Sequence, residues 1–130
     1  MRRIVERFGE NAGRIWSVLN ERGCLCSEEL LGFSCLSDFD FYTGLGWLAR
    51  EGKVVKDGDF FCLGEGDLGS LIGVFAGKIW RILDVWGDAD FVSIKRLSGL
   101  DDFDVHLALG WLGREGKIVV NDNNRFTLVY

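Results

Sequence analysis

No run in this chain approaches the roughly 20 consecutive apolar residues that a membrane span needs. The start, MRRIVERFGEN, also lacks the apolar stretch of an export signal, so the chain is expected to be cytoplasmic and to have no membrane partner. Basic charge is in short supply: 15 Lys and Arg against 20 Asp and Glu leave a net charge of −5 and a pI near 4.8. A dedicated nucleic-acid binder usually carries a basic excess, so this balance argues against a simple DNA-binding assignment. There is a single histidine, His106, and a histidine-based metal site or a Ser-His or Cys-His nucleophile pair would depend on it alone. It lies in a helical pattern, where an exposed or edge-packed imidazole is expected. No GK[ST] follows the glycines of GEGDLGS, which excludes a phosphate-cradling loop. With no catalytic constellation and no cofactor motif, neither an enzyme nor a bound cofactor is expected.

The four cysteines, Cys24, Cys26, Cys35 and Cys62, all fall in the first half. A secreted disulfide framework would normally be spread evenly through a small domain, so in a chain without an export signal these are expected to be reduced thiols. Cys24 and Cys26 fall on a short predicted strand beside the hairpin strand that carries Cys62, which would bring three thiols near one another. Their spacing fits no familiar zinc pattern, and no metal is assigned to them.

What the chain does have is a globular mixture, 48% hydrophobic and 27% charged, in 130 residues, and a repeat. LGWLAREGK at 45–53 returns as LGWLGREGK at 109–117. AGRIWSVLNERG (12–23) aligns with AGKIWRILDVWG (76–87), and SCLSDFDFYTGLGWLAREGKVV (34–55) with SGLDDFDVHLALGWLGREGKIV (98–119), all at a constant offset of 64 without a gap. Roughly twenty of some forty-four positions are identical, far above chance, so the chain is a tandem duplication. Residues 1–64 form a first domain with an N-terminal extension at 1–9, 65–70 a short glycine-rich linker, and 71–130 a second domain.

Each copy has the same order of elements. A first helix carries Ala12, Ile15, Trp16 and Leu19 on one stripe, matched by Ala76, Ile79, Trp80 and Leu83, and stops at Gly23 or Gly87. A brief strand follows (24–26 and 88–92), then a short helix starting near Ser27 or Ser93. A third helix opens at Ser37-Asp38-Phe39-Asp40, a serine cap with an acid three positions on; Asp101 and Asp104 repeat it. It runs to Gly52 or Gly116. The last element is a β-hairpin, turning about Asp57-Gly58 in one copy and Asn121 to Asn124 in the other. The fold class is therefore mainly α with small β-hairpins, a tandem duplicated winged helix-turn-helix.

The combination of AGxIWxxL, a short helix, LGWLxREGK and a two-stranded wing resembles the small winged helix-turn-helix domain family of archaea and bacteria that is classed as a domain of unknown function. Both halves resemble it, over nearly the whole chain beyond the first eight or so residues. The resemblance implies the fold and a loose association with transcription regulators, and no ligand or catalytic residue.

In such a motif the third helix puts its N-terminal residues against base edges. Here those residues are Asp38 and Asp40, and Asp101, Asp102 and Asp104. They cap helices and complement the dipole well, but they meet phosphates with the wrong sign. Basic residues gather instead at the start of the wing: Arg50, Lys53 and Lys56 in the first copy, Arg114, Lys117 and Arg125 in the second. These are the candidate phosphate contacts, with local pairing to Glu51 and Glu115 as the plainer account. Gly46 and Gly110 sit inside helices, where glycine costs about 1 kcal/mol relative to alanine, so something must approach closely there in both copies. Together with Trp47 and Trp111 they form a candidate contact surface, either on the first helix of the same unit near Gly13 and Gly77, or between the units. The second arrangement would make the chain an intrachain pseudo-dimer.

Two functions are open at this point. One is a non-catalytic protein-interaction module in a transcription-associated or regulatory assembly. The other is a DNA-binding regulator that touches double-stranded DNA through its wings and through Arg2, Arg3 and Arg7.

Overall fold

A computed structural model of the protein describes residues 4–66 and 69–130. The first copy runs α1 (Ile4–Arg22), β1 (Leu25–Cys26), α2 (Ser27–Ser34), α3 (Asp38–Glu51), β2 (Val54–Asp57) and β3 (Phe60–Leu63). The second repeats it as α4 (Gly69–Trp86), β4 (Asp88–Ala89), α5 (Phe91–Ser98), α6 (Asp102–Arg114), β5 (Ile118–Val120) and β6 (Phe126–Leu128). Each copy closes with a three-stranded antiparallel sheet, ordered β1-β3-β2 in one and β4-β6-β5 in the other. This is a duplicated winged helix, mainly helical with small sheets.

Local chemistry sets the element ends. Ser37 Oγ accepts from the Asp40 amide at 3.2 Å to start α3, and Asp101 accepts from the Asp104 amide at 2.8 Å to start α6. Gly23, Gly87 and Gly52 end their helices at φ +80°, +85° and +69°, in the left-handed region that glycine enters without a Cβ clash.

Four details depart from the sequence reading. α1 begins at Ile4, inside the stretch expected to be an extension, because Phe8, Ala12, Ile15 and Leu19 continue one buried stripe toward the N-terminus. α5 begins at Phe91 and not near Ser93, because Asp90 is the cap and accepts from the Ser93 amide at 2.8 Å. The first wing turns about Gly58-Asp59: Asp57 already pairs with Phe60, and only Gly58 takes a positive φ. Trp16 lies at the edge of its stripe and is exposed.

Two cores result, and each borrows from the other copy. Phe8 of α1, fully buried, belongs to the core of the second copy, while Ile72 of α4 belongs to that of the first. Fully burying a side chain of this size stabilises by about 1.5–3 kcal/mol, so the exchange ties the halves together.

Candidate functional site

The helices that would read DNA pack on each other. α3 and α6 cross at Gly46 and Gly110, and the approach is so close that a Cβ on Gly46 would run into the carbonyl of Leu107, and one on Gly110 into the carbonyl of Thr43. This is the close neighbour that offsets the helical cost of both glycines. Aromatic pairs repeat about the crossing: Tyr42 stacks on Phe103 with centroids 4.4 Å apart, and His106 meets Phe39 edge-on at 5.0 Å.

The tryptophans lie on either side of this seam. Trp47 packs on Gly9 of α1 and Trp111 on Gly73 of α4, one helical turn before Gly13 and Gly77, where an added Cβ would meet nothing within 4 Å among the described residues. Each indole also receives an arginine from the other copy: Arg114 lies over Trp47 with 5.8 Å to the centroid, and Arg50 over Trp111 with 5.5 Å. Both arrangements open to these residues are thus present in one motif, the glycines facing the other copy and the indoles their own first helix.

Four of the six wing-start cations are held in the same seam. Arg50 pairs with Glu115 at 3.3 Å and Arg114 with Glu51 at 3.2 Å, both across the copies. Lys53 reaches Glu51 at 3.6 Å and Lys117 reaches Glu115 at 3.4 Å. Arg125 donates to Asp88 at 2.9 Å. Of the six candidate phosphate contacts only Lys56 has no carboxylate partner among the described residues, and it sits over the Phe61 ring at 5.7 Å. Arg7 is bound to Asp40, at 2.6 Å. Arg2 and Arg3 lie outside the described residues.

Very little of α3 and α6 faces outward. Along α3 only Asp38 and Arg50 are exposed, and along α6 only Asp102, Phe103 and Arg114. Asp102 is held below the usual carboxylate range by the Lys95 ammonium, 2.7 Å away. His106 is buried between Phe39 and Phe91, and this burial pulls its pKa below the ordinary value against the opposing pull of Asp102, Asp38 and Asp101. It is therefore a core residue, and among the described residues its Nδ1 has no hydrogen-bond partner.

The cysteines correct the expectation of four reduced thiols. Cys24 and Cys62 are joined by a disulfide, Cα to Cα 4.4 Å, because the register of β1 on β3 sets them opposite one another. Cys26 and Cys35 stay free, at the two ends of α2, and with Cys24 and Cys62 joined to each other the three thiols expected at Cys24, Cys26 and Cys62 are reduced to one. Among the described residues no group of His, Cys, Asp and Glu is placed to hold a metal ion, and no helix is long and apolar enough to cross a membrane.

A three-helix unit closed by a β-wing, present twice, defines a tandem winged helix-turn-helix protein. The family described as "Winged helix-turn-helix domain (DUF2582)" matches residues 2–59 and again 67–130, and the chain belongs to it. No curated protein and no solved structure matches the chain.

Proposed function

We propose that the protein is a non-catalytic protein-interaction module of a transcription-associated or regulatory assembly. One observation carries this reading: α3 and α6 are spent on each other. A helix enters the major groove, about 12 Å wide, by presenting a free face with several side chains that reach base edges. Each of these helices keeps only its two ends in water, and the exposed N-terminal residues are Asp38 in α3 and Asp102 and Phe103 in α6, none of them a cation. The wings do not replace them, since five of their six candidate cations are already paired with acids and the net charge is −5. Phosphate binding would have to break those pairs before releasing any counterion.

The test is fluorescence anisotropy of a labelled random duplex of about 20 base pairs at roughly 50 and 200 mM salt. No binding by micromolar protein at the lower salt is expected. Binding that falls steeply between the two salts would overturn the proposal and restore the DNA-binding regulator.

A further inference from the structure

The two copies differ most where they could have been alike. A cavity of 580 Å³ opens between the first wing, α2 and α3 on one side and α4 and α6 on the other. That volume is typical of small-molecule sites, as is placement between domains. Ser27, Tyr42, Leu71, Phe75 and Asp104 are among its lining residues.

The duplication supplies a template for what belongs there. Moved by the 64-residue offset, Ser27 becomes Phe91, Tyr42 becomes His106, Leu71 becomes Arg7 and Asp104 becomes Asp40. In the matching cleft on the other side of the seam the Phe91 ring lies 4.8 Å from that of His106, and the Arg7 guanidinium is held by Asp40 through bonds of 3.0 and 2.6 Å. The protein there supplies its own aromatic ring and its own planar cation. In this cavity both suppliers are missing, Ser27 standing for the ring and Leu71 for the guanidinium, while the two receivers, Tyr42 and Asp104, remain. Among the described residues no cation pairs with Asp104; its carboxyl is raised above the usual range by burial and by Asp101. Glu28 and Asp59 add two more carboxylates to the lining against one ammonium, Lys56, so the site as a whole favours a cation.

We propose that this cavity binds a small organic cation with an aromatic ring: the ring lies beside Tyr42 in the place of Phe91, and an amidinium, guanidinium or ammonium group sits on Asp104 in the place of the Arg7 guanidinium. The ligand touches both copies and so fastens them together; the proposal does not depend on the identity of any protein partner.

Benzamidine and its neutral isostere benzamide are the probes, titrated against the full chain by ligand-observed NMR. Benzamidine is expected to bind with a dissociation constant on the order of 1 mM, as suits a fragment of its size, and benzamide about tenfold more weakly or less. Ser27→Phe, which installs the second copy's own filler, is expected to abolish benzamidine binding. Leu71→Arg, at an exposed position that does not threaten the fold, is expected to weaken it about tenfold or more by placing a guanidinium on Asp104. Asp104→Asn is expected to erase the preference for the charged probe. No benzamidine binding at several millimolar, equal binding of both probes, or binding indifferent to Leu71→Arg would each overturn the assignment. Should Ser27→Phe fail to fold, Leu71→Arg decides alone.

Discussion

Gly110→Ala tests the α3–α6 seam, because two effects of opposite sign meet there. Alanine is the better helix former by about 1 kcal/mol, so at an unhindered helical position the change stabilises. At Gly110 the new methyl would overlap the carbonyl oxygen of Thr43 and lie 3.0 Å from its Cα. Comfortable carbon–oxygen approach begins near 3.3 Å. No rotamer relieves the clash, since both partners are main chain, so the helices have to move apart by about 1 Å or more. That separation loosens the Tyr42–Phe103 and Phe39–His106 pairs and the crossed Arg–Glu bridges together. Overpacking costs about 1–3 kcal/mol and the loosened pairs add to it, giving a net loss of about 2–4 kcal/mol after the propensity gain.

Urea unfolding measures the change, with Gly13→Ala and Gly77→Ala as internal standards. Those two glycines are exposed in α1 and α4 with nothing within 4 Å, so both changes should gain about 0.5–1 kcal/mol. Gly46→Ala should behave like Gly110→Ala, and the double variant should lose less than the sum, because the first methyl has already parted the helices. A Gly110→Ala protein as stable as the parent, alongside stabilised standards, would refute the seam.

Phe8→Ala removes a ring buried in the other copy's core and should cost about 3–5 kcal/mol in the same assay, whereas a dispensable extension would lose nothing measurable. A double-mutant cycle on Arg50 and Glu115, whose side chains are 44% and 16% exposed, should return a coupling of about 0.2–1 kcal/mol that shrinks toward 1 M salt; a coupling of zero at low salt would remove the bridge as a tie between the copies. His106 adds a pH dependence. Its folded pKa lies below the ordinary 6.5, so the unfolded chain takes up the proton first, and stability is full above that value and declines as pH falls through it. His106→Phe should flatten the urea midpoint between about pH 7.5 and 5.5, and identical profiles for the two proteins would refute this assignment.

The element order was legible because it rests on local signals. Ser37, Asp101, Gly23, Gly87 and Gly52 cap helices through their own side-chain and backbone chemistry, and the same signals at one offset exposed the duplication. The glycines at 46 and 110 announced a close approach, since a repeated helical cost requires a repeated reason. Which helix came close was not legible: the identity of the opposing backbone depends on how two units dock. For the same reason the wing cations read as solvent-facing. Arg50 and Arg114 find their acids in the other copy, 65 residues away in one case and 63 in the other, beyond any local pattern. The role of Phe8 could have been found, because at the repeat offset it falls on Ile72, and Gly9, beside it, on Gly73. A hydrophobic residue beside a glycine repeated outside the aligned block extends the repeat. The disulfide was not legible for a different reason: cellular compartment bears on whether thiols stay reduced, while pairing follows from the register of β1 on β3.

Matching and differing positions divide by place, and the division bears on why the chain carries two copies. Gly9, Gly46, Trp47, Arg50, Glu51 and Lys53 recur unchanged at 73, 110, 111, 114, 115 and 117, and all of them build the seam. A seam made from the same residues on both sides is what two identical subunits would form about a two-fold axis. Two identical subunits, however, would have to place the same side chains in both lateral clefts. A single chain is free of that constraint. Here Arg7 and Phe91 fill one side while Leu71 and Ser27 leave the other open, and a disulfide in the first wing stands where Asp88 and Thr127 pair in the second. Restoring the symmetry by Ser27→Phe with Leu71→Arg should therefore leave the seam intact and close the cavity. If that double variant instead weakened the coupling between Arg50 and Glu115, the cavity and the seam would be one structural unit, and the open cleft a consequence of docking and not of the residues that differ.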